Sequence, residues 1–115
     1  PFVWGPLDLL HKIQPITYLV HGGAQGVDTM AGLWAVARSV QVRVYPVTDQ
    51  DWVSFGPSAG NRRNQLMLTQ EKPELVVVFP GGTGTADMLA RAWFAKVPVK
   101  CVCSSGDGFV ESVNV

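Results

Sequence analysis

The sequence predicts an α/β domain, a mainly parallel sheet held between two layers of helices. Three observations carry this. Short apolar runs alternate with stretches of helical periodicity along the chain. Two of those runs, residues 16–20 and 75–79, end in a glycine-rich turn that opens a helical pattern. The run Leu75-Val76-Val77-Val78-Phe79 has no polar alternation, as expected of a central parallel strand buried on both faces.

Residues 8–12 read as the end of a short helix, stopped before Pro15 because a residue ahead of proline is pushed out of the helical region. Residues 16–20 are rich in β-formers and bounded by Pro15 and the glycines, which predicts a strand. From 27 to 38, Val27, Met30, Ala31, Trp34 and Ala37 fall on one helical stripe. Residues 42–44 are the next strand. Residues 46–60 are expected to be irregular, since Pro46, Asp49, Asp51, Gly56, Pro57, Ser58 and Gly60 are turn formers. A loop of that length is usually functional or mobile. Residues 61–70 read as a helix with Arg62 and Arg63 in its first turn, where basic charge opposes the helix dipole and a nearby anion would offset the cost. Residues 75–79 form a strand. Residues 85–96 form a helix with Met88, Leu89, Ala92 and Trp93 on one stripe, and 97–102 the last strand. Residues 1–103 are therefore expected to be one domain, with 104–115 a tail that frays. An α/β domain of this kind normally opens with a strand. The expectation is that its first strand lies upstream of Pro1 and that the sheet has a raw edge without it.

The chain of 115 residues is 47% hydrophobic, enough for one real core. Nine basic residues balance nine acidic ones, so the overall charge gives no footprint for nucleic acid as a partner. No apolar run approaches the roughly 20 residues of a membrane span, and no membrane partner is expected. Cys101 and Cys103 fall two apart on the last strand and read as buried thiols. No metal-ligand spacing occurs, so no metal is expected, and the cysteine usage fits a cytoplasmic protein.

The chemistry concentrates at the two turns, His21-Gly22-Gly23-Ala24-Gln25-Gly26-Val27-Asp28 and Pro80-Gly81-Gly82-Thr83-Gly84-Thr85-Ala86-Asp87. Glycines after a strand let the backbone approach a ligand, and the N–H groups of the following helix start point at it, which makes an anion site. The second turn is the stronger candidate for phosphate, because Gly81, Gly82 and Gly84 free the backbone while Thr83 and Thr85 add hydroxyl donors; a plain capped turn is the alternative. No Gly-Lys-Ser or Gly-Lys-Thr occurs, which argues against a P-loop NTPase, and the third small residue of the dinucleotide fingerprint is missing after Gly84. Arg62 and Arg63 suit phosphate or a sugar–phosphate oxygen, or are simply solvated. Asp28 and Asp87 follow the two turns at matching positions, as first-turn carboxylates or as acceptors for ribose hydroxyls. His21 is a packed residue or an acid–base group. Trp4, Trp34 and Trp93 read as core, whereas Trp52 and Phe55 could stack on a base. The composite expectation is a nucleotide or nucleotide-derived small molecule at the carboxyl edge of the sheet, with no separate cofactor.

At these residues the chain resembles the SLOG superfamily, which joins the LONELY GUY phosphoribohydrolases, once described as lysine decarboxylases, with the DNA-processing protein of natural transformation and other nucleotide-binding proteins. Residues 80–85 match the family's Pro-Gly-Gly-x-Gly-Thr, and residues 19–26 its first glycine turn. The YspA-type proteins of bacteria and phages are the most similar subgroup, through Gly22 to Asp28, Arg63-Asn64 and Pro80 to Met88. The resemblance implies a Rossmann-like fold and phosphate on residues 81–85, with Gly22, Gly23 and Gly26 as the facing wall and Arg63 and Asn64 beside it. The phosphoribohydrolases use an Arg that Arg63 matches, which makes Arg63 the candidate catalytic residue, and a Glu whose position here holds Met88. A thioether cannot assist proton transfer. The first expectation is thus a nucleotide-sensing or nucleotide-sequestering module. The second is a phosphoribohydrolase that cleaves the N-glycosidic bond of a nucleoside 5′-monophosphate, and the third a binder of single-stranded DNA. Relatives are commonly dimeric, and the Met88–Trp93 stripe is the expected interface.

Overall fold

The computed structural model describes residues 3–102. Helix α1 (Trp4–Ile13) starts four residues before the expected stretch, and its Pro6 lies in the first turn, where the missing N–H costs nothing. Strand β1 (Tyr18–His21) leads into α2 (Val27–Ala37), followed by β2 (Gln41–Val44). The segment expected to be irregular is mostly helical: α3 (Asp49–Phe55) and a single 3-10 turn (Gly56–Ser58) precede α4 (Ala59–Glu71). The residues that read as turn formers are the ones that start a helix. Thr48 Oγ1 accepts from Asp51 N–H at 3.1 Å, and Asp51 Oδ2 accepts from Thr48 N–H at 2.9 Å. This capping box satisfies two donors at once, and Asp49 and Asp51 complement the dipole. Strand β3 (Val76–Val78), α5 (Thr83–Phe94) and β4 (Val99–Cys101) complete the described chain. Cys101 is half-buried on β4, while Cys103 and the expected tail lie outside the described residues.

The strands form two separate parallel pairs. Tyr18, Leu19, Val20 and His21 of β1 face Gln41, Val42, Arg43 and Val44 of β2. Val76, Val77 and Val78 of β3 face Val99, Lys100 and Cys101 of β4. Among the described residues no ladder joins the two pairs.

One core cluster gathers Val3 just ahead of α1, Leu7 of α1, Ala31, Trp34 and Ala35 of α2, and Val40, Phe79 and Val102, with Leu19, Val42 and Val77 packed against it. The other gathers Val78, Ala92 and Val99, flanked by Val76, Leu89 and Cys101. Because alternate strand residues point to opposite faces, α1 and α2 cover one face of the strands and α5 covers the other face of β3 and β4. Trp34, fully buried, anchors the first cluster, and its Nε1–H donates to Asp8 Oδ1 at 2.8 Å. Asp8 also pairs with Arg38 at 2.9 Å, which ties α1 to the end of α2. Trp93 differs from its expected place in the core: Ala92 takes the buried position of α5, and Trp93 and Phe94 stand exposed.

Candidate functional site

Both glycine turns lie at the carboxyl ends of strands, as expected for a ligand site, but they are not equivalent. In the first turn the N–H groups of Gly22, Gly23 and Ala24 are already used. Asp28 Oδ2 accepts from the N–H of both Gly22 and Ala24 at 3.1 Å, and His21 Nδ1 accepts from Gly23 N–H at 3.0 Å. Asp28 is thus an internal anion that closes the turn, and its charge at the start of α2 disfavours a second anion there. Gly23 has φ +74° and Gly26 φ +85°, conformations that L side chains rarely adopt.

The second turn is open. Helix α5 has no side-chain cap and no acidic residue in its first turn. Its first backbone bond runs from Ala86 N–H to Gly82 O at 3.1 Å, and the N–H groups of residues 82–85 meet no acceptor among the described residues. A Cβ built on Gly82 or Gly84 would touch nothing within 4 Å, so the space before these donors is clear. A Cβ on Gly81 would strike the Thr85 hydroxyl, so Gly81 is what lets Thr85 Oγ1 fold over the turn. A groove of ≈ 280 Å³ adjoins it, lined by Val78, Phe79, Pro80, Leu89 and Cys101 among others.

Two consecutive residues of α4 bridge the turns. Arg63 Nη1 donates to Gly22 O and, at 3.4 Å, to Tyr45 O, while its Nε donates to Asn64 Oδ1 at 3.2 Å. Asn64 Nδ2 donates to Asp87 Oδ2 at 3.0 Å and to Gly84 O at 3.3 Å. Asn64 is 5% exposed, the buried polar residue of the described core. Asp87 Oδ2 also accepts from Arg91 Nε at 2.8 Å. Burial pushes the Asp87 carboxyl up, but donation from Arg91 and Asn64 outweighs it and holds the group below the usual carboxylate range. Arg63 Nη2 has no partner among the described residues and is available to a ligand. A Cβ on Gly22 would run into the Arg63 guanidinium, so Gly22 is required by the arginine that crosses it.

The structure therefore brings Gly22, Arg63, Asn64, Gly84 and Asp87 together through one chain of hydrogen bonds. One oxygen of Asp28 and one of Asp87 are committed within the protein. Met88 is half-buried on α5. Arg62 lies 3.9 Å over the Phe55 ring, and Trp52 is exposed on α3. The bridging role of Asn64 was not legible in the sequence, because its partners lie 20 and 23 residues away.

A family model described as "YspA, cpYpsA-related SLOG family" matches residues 2–52. "Gene 61 protein" of Mycobacterium phage D29 is 34% identical over 102 residues, covering 84% of this chain and 81% of that protein. The chain belongs to the SLOG family. The family model takes in the first glycine turn and ends before Arg63, so the bridge and the second turn of this SLOG chain rest on its own geometry. No solved structure matches it. Among the described residues no helix is long and apolar enough to cross a membrane.

Proposed function

We propose that this SLOG chain binds a nucleotide or nucleotide-derived ligand as a sensing or sequestering module, with phosphate on the N–H groups of residues 82–85. The observation that supports it most is the start of α5: consecutive backbone donors without acceptors among the described residues, no capping side chain, no carboxylate in the first turn and clear space in front. Such a terminus favours an anion through its dipole and its directed N–H groups. Arg63 Nη2 adds a charged donor for phosphate or ribose. Gly22, Gly23 and Gly26 line the facing wall, and the uncommitted oxygens of Asp28 and Asp87 take ribose hydroxyls. The same reading includes a Rossmann-like three-layer domain over residues 1–103.

The substitution that tests it is Gly82→Asp. The site has room for the side chain, and an aspartate at this N-cap position would accept the helix donors itself. The expected result is an unchanged or higher melting temperature together with loss of nucleoside monophosphate binding by calorimetry. Binding that survives unchanged in the folded variant overturns the assignment.

The free Nη2 of Arg63 also suits a second reading, cleavage of the N-glycosidic bond, although Met88 cannot supply a proton. Chromatography of nucleoside monophosphates incubated with the protein tests it directly: release of free base that Arg63→Ala abolishes would establish the hydrolase.

A further inference from the structure

Helix α3 carries aromatic side chains where they do nothing for the core. It buries none of its residues, yet Trp52 is 50% exposed and Phe55 42%. An element that buries nothing gains little stability from its rings, and aromatic surface left to water marks a place that something else covers. The two rings stand three residues apart, on one side of the helix. A planar cation joins them: the Arg62 guanidinium lies 3.9 Å over the Phe55 ring. Arg62 makes no hydrogen bond or ion pair among the described residues, so no carboxylate there balances its charge. Gly56, at φ +58°, turns the chain out of α3, and Ser58 Oγ donates to Phe55 O at 2.8 Å. Asp51 is engaged in the capping box, and Gln50 Nε2 donates to Ser54 Oγ at 2.9 Å. What α3 offers beside Arg62 is therefore the faces of two rings.

This surface stands at the same end of the strands as the glycine turns. β2 ends at Val44, and Tyr45 N–H bonds the carbonyl of His21, the residue just ahead of Gly22. Pro46 borders Gly23, whose Cβ would lie 3.4 Å from it. The chain from 45 to 58 thus leaves the first turn and returns to α4, against which α3 packs. Both ends of the excursion meet the paired arginines. Tyr45 O accepts from Arg63 Nη1 at 3.4 Å, and Phe55 lies under Arg62. Successive residues of a helix point about 100° apart, so Arg63 reaches Gly22 while Arg62 reaches α3.

We propose that Trp52 and Phe55, with Arg62 held on the Phe55 ring, form the seat of a nucleobase; this deepens the nucleotide reading and rests on the phosphate seat at residues 82–85. Bases stack on aromatic rings and on guanidinium planes through their faces, whatever their edges carry. The surface fits a base better than a partner protein. Two half-exposed rings offer roughly 200 Å², well short of the roughly 800 Å² that each partner of a stable protein interface buries. The positive charge of Arg62 and Arg63 beside the rings complements a phosphate ester. A phosphate seat alone takes any phosphate monoester. The rings of α3 are what would make the site select a nucleotide over a bare sugar phosphate.

Calorimetry of adenosine monophosphate and ribose 5-phosphate, on the 115-residue chain and on Trp52→Ala, is the test. The two ligands share ribose and phosphate, so their difference reads the base. Adenosine monophosphate is expected to bind about tenfold tighter than ribose 5-phosphate, the scale of one base–ring stack. Trp52→Ala is expected to weaken adenosine monophosphate about tenfold and ribose 5-phosphate by no more than about twofold, whereas Trp52→Phe, which keeps a ring, holds most of the affinity. Because α3 buries nothing, both variants should match the parent in circular dichroism and melting temperature. Equal affinities of the two ligands for the parent, or an unchanged affinity for adenosine monophosphate in Trp52→Ala, overturn the base seat and leave the phosphate seat standing. Parallel loss of both ligands in the folded Trp52→Ala variant also overturns it, as does a dimer in sedimentation that this variant dissolves, which would make α3 a contact between copies. Failure of the parent to bind either ligand overturns the phosphate seat, and the base seat with it.

Discussion

Replacing Asn64 with alanine should cost more stability than any other single polar truncation in the described chain. The side chain is buried and makes three hydrogen bonds: it accepts from Arg63 Nε and donates to Asp87 Oδ2 and Gly84 O. Two of the partners are charged. A neutral hydrogen bond contributes about 1 kcal/mol and one to a charged group about 1.5–3 kcal/mol. A simple sum exceeds 4 kcal/mol, but Asp87 keeps Arg91 and Arg63 keeps the carbonyls of Gly22 and Tyr45. The net cost is therefore about 3 kcal/mol, which for a domain of this size lowers the melting temperature by roughly 10–20 °C. Urea denaturation followed by Trp34 fluorescence and far-UV circular dichroism measures it. Asn64→Asp can still accept from Arg63 but cannot donate to Asp87, and it should be no better than alanine. A loss below about 0.5 kcal/mol, the scale of an ordinary surface substitution, would refute the bridge between the two glycine turns.

Three further outcomes follow from the same geometry. Gly22→Ala puts a methyl where the Arg63 guanidinium lies; the flexible arginine should swing out, with a cost of about 1–2 kcal/mol and weaker nucleotide binding by calorimetry. Thr48→Ala removes the capping box of α3, worth about 1 kcal/mol locally. Because α3 buries none of its residues, its amides should exchange faster while the global denaturation midpoint barely moves. Thermal melts against pH should fall in acid. Donation from the Tyr45 hydroxyl and Arg43 holds the Glu71 carboxyl below its ordinary 4.5, and Asp87 is held below 3.8. A depressed folded value contributes stability above the unfolded value, and that stability is lost as pH falls through the folded one. The decline should begin near pH 4.5 and flatten in the Glu71→Gln, Asp87→Asn double variant.

The alternation of strands and helices and the position of both glycine turns were legible in the sequence, because each rests on local periodicity and on glycine. Residues 46–60 were not, since aspartate, serine and threonine serve a turn and a helix start equally well, and only the reciprocal bonds of Thr48 and Asp51 decide between them. The difference between the turns was also hidden. Asp28 and Asp87 stand at matching sequence positions, yet Asp28 reaches back to close its own turn while Asp87 is drawn sideways to Asn64 and Arg91. The stripe of α5 placed Ala92 and Trp93 together, but only Ala92 is buried.

The central claim is that phosphate sits on the opening of α5. Backbone amide chemical shifts of the 115-residue protein, followed by NMR during titration with adenosine monophosphate and then with inorganic phosphate, test it most directly. The account predicts saturable shifts that are largest at Gly82, Thr83, Gly84 and Thr85, with smaller ones at the Arg63 side chain. Saturable shifts centred on Gly22, Gly23 and Ala24, or no shifts at residues 82–85 up to millimolar ligand, would contradict it.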